Sequence, residues 1–217
     1  MTRVKICGIK TVDQARCAIQ SGADFLGFIF YPPSHRYVEP AAVGQIVSDC
    51  RASLPSATWA AVGVFVDEPL HQLNETLRVA RLDYAQLCGA ETAEYASGVA
   101  RPVIRVVHVS EDGICLAATE PAAHGAARIM LDTARPGHYG GTGQVYPWAR
   151  VRDVSAEAFL AGGLSPDNVA TAIEVAHPWA VDVSSGVERD MVKDPVLIAE
   201  FISEVRRVDQ RLSNNPD

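Results

Sequence analysis

Short runs of β-branched and aromatic residues alternate along the whole chain with stretches in which apolar positions recur every three or four residues. The first pattern predicts buried strands and the second amphipathic helices. Strands are expected at 4–7, 25–30, 59–66, 84–87, 103–107, 128–132, 158–161 and 180–183. Between them, Val43, Ile46, Val47 and Cys50, and later Val169, Ala172, Ile173 and Ala176, each draw one apolar helix face. Helix starts are also written in the chain. Thr11 with Gln14 has the form of a capping box, and Ser165-Pro166 and Asp194-Pro195 each place an N-cap residue before a proline suited to the first helical position.

Strand and helix in alternation describe a parallel sheet with helical crossovers. Eight such units in 217 residues come to about 27 residues each, at the compact end of the (β/α)8 barrel. A doubly wound sheet is the alternative, but six strands would leave two units over, and no stretch resembles a linker. The expectation is therefore an α/β protein forming a single (β/α)8 barrel domain over residues 1–217.

Composition narrows the function more than the fold. The longest purely apolar stretch, 59–66, has eight residues, too few to cross a bilayer. No apolar signal segment follows the N-terminal basic residues, so a cytoplasmic protein is expected. Five cysteines with no C-x-x-C pair argue against a disulfide framework and a structural zinc site. A formal charge of −7 offers no basic field for nucleic acid.

In a barrel the chemistry belongs where strands end. Strand one ends in Lys5-Ile6-Cys7-Gly8, putting a thiol at the mouth; Cys7 is either a base or nucleophile, or a small buried hydrophobe. Strand six ends in Asp132, ahead of the glycine-rich stretch 137–143; it suits acid or base chemistry, and equally a cap or turn. Gly162-Gly163 and Ser184-Ser185-Gly186 follow strands seven and eight, where barrels often cradle phosphate on backbone amides, although such glycines also serve tight turns. Arg36, in the loop after strand two, offers a guanidinium for a carboxylate or phosphate, or else a surface ion pair.

Taken in order, these segments resemble the phosphoribosylanthranilate isomerase family of tryptophan biosynthesis. The resemblance rests on Lys5-Ile6-Cys7-Gly8-Ile9, Ser34 with Arg36-Tyr37, Gly63-Val64-Phe65, Gln86-Leu87, Leu131-Asp132 with Gly140-Gly141-Thr142-Gly143, Leu160-Ala161-Gly162-Gly163-Leu164, and the run from Asp182 to Glu188. Each motif is short; their order at barrel spacing is specific. What the resemblance implies is a cofactor-free and metal-free Amadori rearrangement, with Asp132 as general acid and Cys7 as general base. It further implies that Arg36 meets the anthranilate carboxylate and that Gly141, Gly162, Gly163, Asp182, Ser184, Ser185 and Gly186 bind the substrate, the glycine and serine amides holding its phosphate. The expected partner is a small phosphosugar, with neither nucleic acid nor membrane, and a monomer is preferred over a dimer.

Two departures stand out. The family has histidine after Gln-Leu where this chain has Cys88, and the Pro-Gly that often follows the Ser-Ser-Gly-Val-Glu run is absent. Another phosphosugar isomerase, including one of broad specificity, and an inactive phosphosugar-binding barrel are the competing readings. Cys7 argues against the first, and the retention of both Cys7 and Asp132 against the second.

Overall fold

The computed structural model describes residues 1–109, 121–133 and 148–214, without the side chains of Arg150 and Ser155. Eight parallel strands close into a barrel in sequential order. They are β1 (Arg3–Cys7), β2 (Phe25–Ile29), β3 (Ala60–Phe65), β4 (Tyr84–Leu87), β5 (Val103–Val109), β6 (Arg128–Thr133), β7 (Phe159–Leu160) and β8 (Ala180–Val183). The intervening helices are α1 (Val12–Ser21), α2 (Pro40–Ser53), α3 (Leu70–Val79), α4 (Ala93–Ser97), α5 (Arg152–Ser155) and α6 (Val169–Ala176). After β8 come a short hairpin, β9 (Glu188–Arg189) with β10 (Val192–Lys193), and the closing helix α7 (Pro195–Asn214). No described helix is long and apolar enough to cross a membrane.

Each strand faces two ways, as the two-residue period requires. Outward residues such as Ile6, Leu26, Phe28, Leu87, Leu131 and Val181 are buried against the helices, where the faces expected on α2 and α6 are buried in full. The inward residues form a second, smaller core. Its lower end is aromatic: the Phe25 ring packs against Tyr84, Phe159 and Trp179 at centroid distances of 5.2–6.0 Å, and Arg3 and Arg128 stand over Trp179. That plug closes the bottom and leaves the C-terminal end of the barrel for the ligand.

The start signals are mostly realised. Thr11 Oγ1 accepts from the Gln14 amide, while the Gln14 side chain reaches back to Lys10 N rather than to Thr11. Asp194 Oδ1 accepts from Val196 and Leu197 at the head of α7. Ser165-Pro166 instead forms a turn, and α6 starts three residues later at Val169, because Asn168 Oδ1 accepts from Ser165 N and closes a loop there. Strand β5 runs two residues further than expected, since its ladder with β6 continues through His108↔Asp132 and Val109↔Thr133.

Acidic side chains tie the lower ends of the strands together. Asp24 accepts from Val4 N and Asp83 from Ala61 N. Asp209 of α7 accepts three bonds of 2.8–3.0 Å from the Thr2 amide and hydroxyl, all buried. Replacing Asp209 by Ala strands both Thr2 donors, so Asp209→Ala is expected to cost about 2–4 kcal/mol of stability. Urea unfolding should show a lower midpoint at unchanged m-value; an unmoved midpoint would mean that α7 is held by its apolar face alone.

Candidate active site

The centre of the barrel holds a lysine. Lys5 on β1 is 0% exposed, and its Nζ donates to Asp182 Oδ1 on β8 at 2.8 Å. Two residues up the same strand, on the same side, stands Cys7. Both side chains fit only because β2 carries Gly27 beside them. A Cβ there would stand 2.8 Å from Cys7 Sγ and 3.1 Å from Lys5 Nζ. Burial works against the Lys5 ammonium, but Asp182 and Cys7 outweigh it and hold the group charged. For Cys7 burial is the largest effect and pushes the thiol above its ordinary value near 9, while Lys5 and Lys193 pull the other way.

Across the mouth, Asp132 stands one residue before the end of β6. Burial raises its carboxyl to about 6; nearby Asp182 adds to the rise, and a 2.8 Å bond from the Thr133 amide and the charge of Lys5 oppose it. Gly162 makes room for it: the residue has φ +87°, and a Cβ there would stand 2.3 Å from Thr133 Oγ1 and 3.1 Å from Asp132 Oδ1. One cavity, open to solvent at the top, is lined by Cys7, Arg36, Asp132, Gly162, Gly163, Asp182, Ser184 and Ser185 together. Gly186 does not line it. Its place is set by packing, since a Cβ would overlap the Leu164 carbonyl oxygen at 1.9 Å, pressing the loop after β8 onto the loop after β7. Gly141 lies outside the described residues.

Arg36 is neither a free guanidinium nor a surface pair. Its Nε and Nη2 donate to the two carboxylate oxygens of Glu188 at 2.7 Å each, and Lys193 Nζ binds the same carboxylate and the Ser184 carbonyl. Burial works against the Glu188 carboxylate, yet the two cations hold it at about 2. The cluster thus carries two cations and one anion, leaving one positive charge beside Cys7.

Sequence reasoning passed over four side chains here. Glu188 was visible only as the last residue of a motif, and Lys193 was assigned no role. His108 fell beyond the expected end of β5, yet it lines the cavity in register with Asp132, its imidazole pushed down by burial and then by Arg105. Gln86 was visible only as part of a motif, and it lines the cavity beside Cys88, whose thiol burial pushes up to about 12. Among the described residues, no group of three His, Cys, Asp or Glu is arranged to hold a metal ion.

A closed parallel barrel with an acid, a thiol and two glycine turns around one C-terminal cavity defines a (β/α)8-barrel enzyme. The family model described as N-(5'phosphoribosyl)anthranilate (PRA) isomerase matches residues 4–204. The N-(5'-phosphoribosyl)anthranilate isomerase of Moorella thermoacetica is 42% identical over 213 residues, which cover 97% of this chain and 92% of the relative. Two solved structures match 95% of this chain and all of their own. One is a phosphoribosylanthranilate isomerase in complex with reduced 1-(o-carboxyphenylamino)-1-deoxyribulose 5-phosphate, at 36% identity and a TM-score of 0.80. The other, at 35% and 0.78, is of monomers generated from the dimeric enzyme of Thermotoga maritima. The chain belongs to the PRA isomerase family.

The raised Asp132 carboxyl has a consequence for folding. An acid whose pKa is higher folded than unfolded makes no difference below pH 3.8, where both states are protonated, and opposes folding increasingly until about pH 6. Asp132→Asn should therefore stabilise the barrel at pH 7.5, by up to about 3 kcal/mol, and leave it little changed at pH 3.5. Denaturant unfolding at the two pH values checks this; equal effects at both would contradict the raised value.

Proposed function

We propose that the chain isomerises N-(5'-phosphoribosyl)anthranilate to 1-(2-carboxyphenylamino)-1-deoxyribulose 5-phosphate, a step of tryptophan biosynthesis, without metal or organic cofactor. The observation that carries this reading is the sharing of one cavity by a half-buried carboxyl raised to about 6 and a thiol flanked by cations. Family membership supplies the substrate.

In this reading Asp132 gives its proton to the ring oxygen of the furanose as the aminal opens to a Schiff base. Cys7, as thiolate, takes the proton from C2 of the sugar, and the electron pair left behind neutralises the imine to an enolamine. Proton return to C1 with loss of the enol proton gives the ketone. Arg36 meets the anthranilate carboxylate with the N–H groups that Glu188 leaves open, a geometry Glu188 fixes in advance. Backbone amides around Gly141, Gly163 and Ser184 to Gly186 hold the phosphate. Gly162 and Asp182 act on neighbours instead, the first by clearing space for Asp132 and the second by pairing Lys5. The preferred assembly remains a cytoplasmic monomer; the relative from Thermotoga maritima is described as dimeric.

The deciding experiment follows consumption of freshly formed phosphoribosylanthranilate by loss of anthranilate-type fluorescence in excess EDTA. Turnover that survives chelation and is lost in Cys7→Ala is the expected result. No turnover above that variant would overturn the assignment and favour a phosphosugar-binding role.

The pair also dictates a pH profile. The reactive form has Asp132 protonated and Cys7 ionised, the reverse of the dominant state at neutral pH. Thiolate grows as protonated Asp132 shrinks, so their product is level between the two pKa values and falls on either side. The rate constant kcat/KM should therefore rise with pH to a plateau beginning near 6 and decline only above 9. An acid limb near 4 would mean that Asp132 is not one of the titrating groups.

A further inference from the structure

Gln86 sits in the middle of β4, 5% exposed, with its side chain lining the cavity. Its Nε2 donates to Cys88 Sγ at 3.4 Å, and among the described residues its Oε1 has no hydrogen-bond partner. Buried carbonyls are almost always satisfied, because an orphan forfeits the hydrogen bond it had with water. The neighbouring strands supply no donor. In register with Gln86 stand Val64 on β3 and Ile104 on β5, so the sheet itself would accept an apolar residue at this position. Folding gives no reason for the amide; a ligand does.

The location says which part of a ligand. Gln86 lines the same cavity as Cys7 and Asp132, and it is hydrogen-bonded to Cys88, which lines it too, so the amide faces the space in which protons are proposed to move. The orphan is an acceptor and calls for a donor. The substrate offers sugar hydroxyls and the N–H that joins the sugar to the aromatic ring. Only the N–H gains positive charge as the aminal opens, and a bond from a cationic donor is shorter and stronger than one from a neutral group. A carboxylate there would take the proton and quench the electron sink. A carboxamide oxygen stabilises the charge and leaves the proton in place.

We infer that Gln86 Oε1 accepts a hydrogen bond from the bridging N–H of the substrate, and that this bond strengthens as the imine forms and helps acidify C2–H. The inference rests on the isomerase reading above. The bond from Gln86 to Cys88 holds the amide in its plane, which gives the cysteine at this position a role that needs no titration.

Gln86→Met and Gln86→Leu remove the acceptor and keep the bulk. Three measurements are made on each: steady-state kinetics with phosphoribosylanthranilate, equilibrium binding of reduced 1-(o-carboxyphenylamino)-1-deoxyribulose 5-phosphate, and thermal melting without ligand. We expect kcat to fall by about 10- to 100-fold, the scale of one hydrogen bond to a charged donor. The rise in KM and the loss of analogue affinity should be smaller, because the analogue's amine lacks the imine's fixed charge. The ligand-free Tm should hold or rise by about 2 °C or more, since the orphan has been removed. Wild-type kinetics in both variants would overturn the inference. So would a lowered Tm or failure of both to fold, since either would mean that the amide serves the fold. Absence of turnover in the unaltered chain would overturn the isomerase reading first, and this one with it.

Discussion

A charged lysine with no exposure, set inside a closed barrel, is the constraint around which the site is arranged. An ammonium cannot remain there without a partner, and Asp182 provides one at 2.8 Å from the neighbouring strand. The pair needs volume, which Gly27 provides by having no side chain. It also fixes the heights of β1 and β8 against each other, in a ladder that pairs Lys5 with Asp182. Cys7 and Ser184 follow two residues further along the chain from Lys5 and Asp182, and Ser184 Oγ donates to the Cys7 carbonyl. The thiol therefore stands above a fixed positive charge whose position is set by the fold.

The upper charges follow the same logic of partial compensation. Glu188 neutralises one of the two cations that grip it, so this cluster keeps one positive charge while neither Arg36 nor Lys193 swings freely. Asp132 receives the opposite treatment: it is half-buried with one backbone donor and a like charge nearby, and it holds its proton to about pH 6. Two acids of similar intrinsic strength are thus driven about four units apart by what surrounds them.

The alternation of strands and helices was legible because every strand is short, buried and bounded by turn residues, and the barrel places all eight near the expected positions. The ends were less legible, since they depend on the neighbouring strand. Val107 closes the apolar run in sequence, but pairing with β6 carries β5 to Val109 and delivers His108 to the cavity. Cys7, Asp132, Arg36 and the glycine turns could be picked out because unusual residues at strand ends are conspicuous. The pairing of Arg36 with Glu188, 152 positions apart, and the orphaned oxygen of Gln86 could not. Both are properties of three-dimensional neighbourhood, and neither residue type is out of place where it stands in the chain.

Glu188 joins Arg36, from the loop after β2, to Lys193, from the hairpin after β8. Those two segments meet on opposite sides of β1, so three consecutive units of the barrel share one electrostatic knot at the rim. Loops of this fold are usually regarded as modules exchangeable one at a time on a constant scaffold. Here they are not independent. A change in the length or charge of either segment alters the cation held by the other, so in divergence or in recombination the two would be inherited together as one heritable unit.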